Sequence, residues 1–105
     1  MSAAQSVFGT RLKEARLKAG LSQKQLGIEA GLDPFVASTR INRYELDIHK
    51  VEYTFAVRLA EVLRVPVAFF YADDVELARL IFAFGRLPNS QRSKLVSQAE
   101  AWAAE

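Results

Sequence analysis

Residues 37–45, ASTRINRYE, combine apolar and hydrogen-bonding side chains at helical spacing. Ala37, Ile41 and Tyr44 recur at intervals of four and three residues, so they share one face of a helix and can pack inward. At about 100° per residue, Thr39 and Arg43 point to the opposite side. The segment therefore predicts a helix whose outer face presents a hydroxyl and a guanidinium for polar recognition.

The residues before this helix predict a second helix and a tight turn. Ser22 is followed three residues later by Gln25, which is the spacing of a helix-capping box. That helix is expected to stop at Gly31. Asp33-Pro34 then predicts the start of a helix over residues 34–45, because an acid at the cap and a proline at the first position both favour a helix N-terminus.

Two helices joined by a tight turn can place polar side chains in the major groove of DNA. The groove is about 12 Å wide and admits one helix, in which arginine can bridge guanine acceptors and asparagine can pair with adenine. The same spacing also fits an outer face that is merely solvated. From the residues alone, both interpretations stay open.

The whole chain reads as all-α, without a paired strand, an internal repeat or a low-complexity tract. Helices are also predicted near residues 7–19, 52–63, 66–71, 75–86 and 91–104. We expect residues 1–72 to form a five-helix domain and residues 73–105 a helical hairpin. Residues 77–85, LARLIFAFG, are apolar on more than one face, so a helix here must pack against other surfaces on two sides.

Composition excludes several classes of protein. The 105 residues contain no cysteine and one histidine, so thiolate and multi-histidine metal sites are excluded. The net charge is +2, and residues 1–71 carry ten basic against seven acidic side chains, which permits nucleic-acid binding. No stretch approaches the roughly 18 apolar residues of a membrane span. Since the N-terminal residues lack the apolar region of a secretion signal, we expect a cytoplasmic protein.

The sequence offers little to support an enzyme. It has no glycine-rich phosphate loop and no nucleophile in a recognisable turn. Asp73, Asp74 and Glu76 are explained as residues that favour a helix N-terminus. We expect no catalytic residue, no metal and no cofactor.

Residues 11–32, RLKEARLKAGLSQKQLGIEAGL, closely resemble the start of the lambda-repressor/Cro-like helix-turn-helix family, also called the XRE family. Residues 41–45, INRYE, resemble the end of its recognition helix, and residues 58–71 resemble its fourth and fifth helices. The resemblance covers residues 8–71. It implies a five-helix lambda-repressor-like fold that binds double-stranded DNA.

The resemblance also implies roles for individual residues. Arg16 and Glu45 look like the family's buried ion pair, and Gln23 looks like its phosphate-clamping glutamine. The residues expected at DNA bases are Ser38, Thr39, Arg40, Asn42 and Arg43. Those expected at phosphates are Ser22, Gln23, Lys24, His49 and Lys50, and the last two also fit ordinary solvated loop residues.

Two features depart from the family pattern. The segment between Gly31 and Ile41 is about four residues longer than usual, which adds about 400° of helix. If the extra residues lengthen the recognition helix, which Asp33-Pro34 favours, Phe35 and Val36 project toward the groove. If they enlarge the turn, these two side chains pack as core. The second departure is Asp47, where the family often has glycine; aspartate tolerates the left-handed conformation better than most residues.

Three roles are open for the C-terminal hairpin: dimerisation, completion of the core, or binding a partner protein as in antitoxins. We favour dimerisation, since two half-sites about 34 Å apart on DNA require two recognition helices. The expected interface residues are Leu80, Ile81, Phe84, Leu95, Ala99 and Trp102. The sequence thus predicts a homodimeric repressor on a palindromic operator, with an antitoxin-type protein as the alternative.

Overall fold

The computed structural model describes residues 6–104, which are helical with short connections and contain no strand. The predicted all-α fold is confirmed. The last helix of the domain expected over residues 1–72 is a 3-10 helix of five residues, Val67–Tyr71. The α-helices are α1 Phe8–Ala19, α2 Gln23–Glu29, α3 Ala37–Glu45, α4 Tyr53–Leu63, α5 Val75–Gly85 and α6 Asn89–Ala103.

The helix boundaries follow the local signals in the sequence. The Ser22 hydroxyl accepts a hydrogen bond from the Gln25 amide at 3.0 Å and so caps α2. Asp74 caps α5 in the same way, through the Leu77 amide at 2.9 Å. Gly20 ends α1 in the left-handed conformation with φ of 73°, which glycine adopts without steric cost.

The core lies where α1, α2, α3, α4 and the 3-10 helix meet. Gly27 of α2 lies directly against α3, and a Cβ at this position would be 2.7 Å from the Cβ of Ala37. The absence of a side chain therefore allows the two helices to approach closely and fixes α3 against the domain. The largest fully buried side chains are Leu12, Leu26, Ile41, Leu59 and Phe70.

The start of α3 differs from the sequence-based expectation. The helix begins at Ala37, and residues 34–36 form a separate turn, so the longer recognition helix that we favoured is wrong. The Asp33 carboxylate accepts from the Phe35 amide at 2.8 Å, and the Asp33 carbonyl accepts from Ala37 at 2.9 Å. Val36 is the N-cap of α3 and stays in the right-handed helical region, with φ of −113°. Phe35 is not core either, because it is 96% exposed.

Asp47 adopts the left-handed conformation, with φ of 57°. Its carboxylate accepts a hydrogen bond from the Gly9 amide at 3.2 Å, which occupies one of the free N–H groups in the first turn of α1. The residue that ends the α3 region thus also caps α1.

The hairpin expected of the C-terminal helices stays a prediction, and α5 and α6 make few contacts with each other. Helix α5 packs on the 3-10 helix, where the Phe82 and Phe69 ring centroids are 5.7 Å apart, and Ala78 is buried. Helix α6 does not lie along α5 and buries none of its residues.

We predict that Gly9→Ala destabilises the fold by about 1–3 kcal/mol through overpacking. A Cβ at Gly9 would lie 2.2 Å from the Glu45 carbonyl oxygen, so α1 and α3 would have to separate. Alanine is otherwise favoured over glycine within a helix, so a loss of stability would be due to the steric clash. Urea unfolding measures the change, with Thr10→Ala as the exposed control on the same helix. Unchanged or increased stability of Gly9→Ala would contradict the close contact.

Candidate nucleic-acid interface

Helix α3 has a buried inner face and an outer face of exposed polar side chains. Ala37, Ile41 and Tyr44 are buried in the core, as their spacing predicted. Within residues 6–104, no hydrogen bond or ion pair engages the side chains of Thr39 and Arg43. These groups are therefore available to a ligand. The exposed polar residues of the face are Ser38, Thr39, Asn42 and Arg43.

Arg40 is exposed but is held within α3. Its Nε and Nη2 atoms donate to the Tyr44 hydroxyl at 3.2 and 2.9 Å. The guanidinium carbon lies 5.8 Å from the centre of the Tyr44 ring. To contact a base, Arg40 would have to break its hydrogen bonds to Tyr44, which costs free energy. Its base-contacting role stays a prediction.

A buried ion pair joins α1 to the last turn of α3. Arg16 Nε lies 2.5 Å from Glu45 Oε2, and Arg16 Nη2 lies 3.2 Å from Glu45 Oε1. Arg16 Nη1 also donates to the Leu21 carbonyl at 3.0 Å, which fixes the connection into α2. The two parallel bonds of this pair hold the guanidinium and carboxylate in one plane and so define the angle of α3.

Gln23 extends this network to the surface. Its Nε2 atom donates to Glu45 Oε1 at 3.0 Å and to Asn42 Oδ1 at 3.1 Å. The amide of the first residue of α2 is thus fixed beside the outer face of α3. The resemblance gave Gln23 and Asn42 separate roles, and no spacing rule could have predicted that they contact each other.

The other candidate phosphate contacts lie at two places around α3. Ser22 and Lys24 are exposed at the start of α2, where Ser22 is also the helix cap. His49 and Lys50 are exposed in the loop between α3 and α4. Their contacts to phosphate stay predictions.

The six residues expected at a dimer interface have different environments. Ile81 packs partly buried against the core of its own chain, which differs from the expectation. Leu80 is 47% exposed and Trp102 is 65% exposed. Phe84 is half-buried, with the Arg92 guanidinium 5.0 Å from its ring centre. Leu95 is half-buried and Ala99 is exposed.

Two other features are absent from the part of the chain that the structure describes. No group of three or more His, Cys, Asp or Glu side chains is placed to hold a metal ion there. None of the helices over residues 6–104 is long and apolar enough to cross a membrane.

Comparison with known proteins agrees with this geometry. The family described as a helix-turn-helix domain matches residues 7–68, which contain α1 to α4 and the start of the 3-10 helix. The chain belongs to this helix-turn-helix family. The matched range includes the ion pair, Gln23 and the whole outer face of α3.

Relatives of this helix-turn-helix chain are named as regulators. The structure resembles the crystal structure of the transcriptional regulator BswR, with 44% identity, a TM-score of 0.83, and coverage of 89% of this chain and 92% of that one. Uncharacterized HTH-type transcriptional regulators from Sinorhizobium medicae (strain WSM419) and Rhizobium meliloti (strain 1021) are each 31% identical over 65 residues. Those matches cover 62% of this chain and 44% of the curated relatives.

We predict that Arg16→Met destabilises the protein by about 3–5 kcal/mol, because it leaves the Glu45 carboxylate buried without a cation. Lys13→Met, an exposed cation on the same helix, should change stability by no more than about 0.5 kcal/mol. Thermal or urea unfolding measures both. Adding Glu45→Gln to Arg16→Met should recover part of the loss, and equal stability of Arg16→Met and wild type would contradict the role of the pair.

Proposed function

We propose that this chain is a sequence-specific DNA-binding transcriptional regulator that reads double-stranded DNA with the outer face of α3. The proposal rests on one observation: the inner face of α3 is buried and held in place, while its outer face presents exposed hydroxyl, amide and guanidinium groups. Helix-turn-helix proteins use a helix of this kind in the major groove. The relatives named as transcriptional regulators support the same conclusion.

In this function, Arg43 is the main base-reading residue. Its guanidinium can donate two hydrogen bonds to the O6 and N7 acceptors of guanine. Thr39 and Ser38 add hydroxyls on the same side of α3. Asn42 keeps its amide NH2 group for an acceptor on DNA, because its oxygen is the atom that accepts from Gln23.

Positioning on the DNA backbone falls to the start of α2 and the loop after α3. Lys24 beside Gln23 supplies a positive charge, and His49 and Lys50 supply donors from the other side. Such contacts set the register of the protein on the duplex without reading sequence. Both hydrogens of the Gln23 side-chain amide are donated within the chain, to Glu45 and to Asn42, so Gln23 would have to give up one of these bonds in order to donate to a phosphate.

We further propose that the regulator is a homodimeric repressor on a palindromic operator. Leu77, Leu80 and Phe84 follow one another at helical spacing on α5, and the first two are 46% and 47% exposed. They form a stripe opposite the face that packs on the core. On α6, Leu95, Ala99 and Trp102 form a second stripe, in which Leu95 is half-buried and the other two are exposed in the single chain. A second copy would cover both stripes and supply the second recognition helix that an inverted repeat needs.

The test of sequence reading is selection from a randomised duplex pool at about 0.15 M salt, where a Debye length near 8 Å suppresses loose electrostatic binding. We expect wild type to recover an inverted repeat. Arg43→Ala should bind that site more weakly by about 1–3 kcal/mol and lose preference at one position in each half-site. Arg79→Ala, which removes an exposed arginine from α5, is the control and should keep the same site. An unchanged site for Arg43→Ala would contradict this assignment.

The dimer proposal predicts that wild type sediments at twice the mass of one chain at micromolar concentration. Leu80→Lys with Trp102→Lys should sediment as a monomer, because two charges would be buried without partners in the interface. Both residues are exposed in the single chain, so its fold should be kept. Lys94→Ala on the exposed surface of α6 is the control. A monomeric wild type would contradict the dimer and leave α6 free for a partner protein.

A further inference from the structure

We propose that Phe35, in the turn before α3, is an additional base-reading residue that contacts the 5-methyl group of a thymine in the major groove. This inference rests on the proposed function of α3. It goes beyond it because neither the polar chemistry of α3 nor the pattern of the family assigns a role to this residue.

The position of Phe35 follows the stripe of base-facing residues. The hydrogen bond from the Ala37 amide to the Asp33 carbonyl has the spacing of an α-helical turn, so residues 34–36 keep approximately the helical sense. At about 100° per residue, Phe35 lies within about 60° of Ser38, Thr39 and Asn42. The buried residues Ala37 and Tyr44 lie on the other side. Phe35 therefore continues the outer face of α3 beyond its N-terminus.

That end of the helix is the one that approaches the bases. In helix-turn-helix proteins, the N-terminal residues of the recognition helix contact base edges. Phe35 precedes Ser38 by three residues, and three residues of chain span at most about 11 Å. A side chain this close to the leading end of α3 lies within reach of the groove floor or its edge.

The turn holds Phe35 in place although the ring itself contacts almost nothing. Its amide donates to the Asp33 carboxylate at 2.8 Å, and the Val36 amide donates to the Asp33 carbonyl at 3.0 Å. Pro34 fixes one further backbone angle. The ring is 96% exposed, so its apolar surface is available in full to a ligand. A fixed backbone reduces the entropy that binding would otherwise cost.

The chemistry of the groove identifies the ligand. Among the base edges in the major groove, hydrogen-bond donors and acceptors predominate, and the thymine 5-methyl is the apolar group that a phenylalanine can contact. The hydroxyl and guanidinium groups of α3 serve the polar edges. Phe35 would add a preference for thymine at a position next to the bases read by Ser38 and Thr39.

The test replaces single thymines of the selected duplex by deoxyuridine, which removes the methyl group and leaves the hydrogen-bonding edge unchanged. We expect one thymine in each half-site where this replacement weakens wild-type binding about fourfold, the effect of one buried methyl group. Phe35→Ala should bind the thymine duplex more weakly and show no further loss with deoxyuridine at that position. Because Phe35 is exposed, this variant should fold normally.

Two further variants test whether the sensitivity to deoxyuridine comes from Phe35 or from another apolar side chain. Val75→Ala removes an exposed apolar side chain on α5 and should keep the wild-type sensitivity. Thr39→Ser removes another methyl group on the base-reading face and so changes the affinity for the duplex itself, but the further loss caused by deoxyuridine at the Phe35 position should stay about fourfold. The inference is overturned if Phe35→Ala retains the sensitivity at every thymine, or if Thr39→Ser alone abolishes it. Failure of wild type to recover any duplex would instead overturn the proposed function, and this inference with it.

Discussion

The buried ion pair between Arg16 and Glu45 is the constraint on which the arrangement of the first three helices depends. It crosses from α1 to the last turn of α3, and Gln23 attaches the start of α2 to the same carboxylate. Since a buried charge is tolerated only with a partner, the three helices can occupy essentially one relative orientation. The glycine contacts at Gly9 and Gly27 bring the backbones close enough for these bonds to form.

The inner residues of α3 stabilise the fold, and its outer residues are available for recognition. Ile41 and Tyr44 are buried in the core, whereas the side chains of Thr39 and Arg43 are exposed. The connection between the two sets is Asn42, which is exposed yet hydrogen-bonded to the ion-pair network through Gln23. A change of base contact at Arg43 therefore need not change stability, whereas a change at Glu45 affects both.

Local signals in the sequence predicted most of the helices because caps and stops act over three or four residues. Ser22, Asp74 and Gly20 all act as their types suggest. The start of α3 was missed because Asp33-Pro34 begins a turn as readily as a helix. The hairpin stays a prediction, because an apolar stripe shows that a helix must be covered but does not show which surface, or which chain, covers it.

Amide chemical-shift mapping of the isotope-labelled chain, with its selected duplex and with a scrambled duplex of equal length, tests most directly whether α3 reads DNA. We expect the selected duplex to shift the amides of residues 35–43 more than the scrambled duplex does. Both duplexes should shift the start of α2 and the loop after α3 to a similar extent, since phosphate contacts carry no sequence information. Shifts confined to α5 and α6, or identical shifts of α3 with both duplexes, would contradict the assignment of α3 as the reading helix.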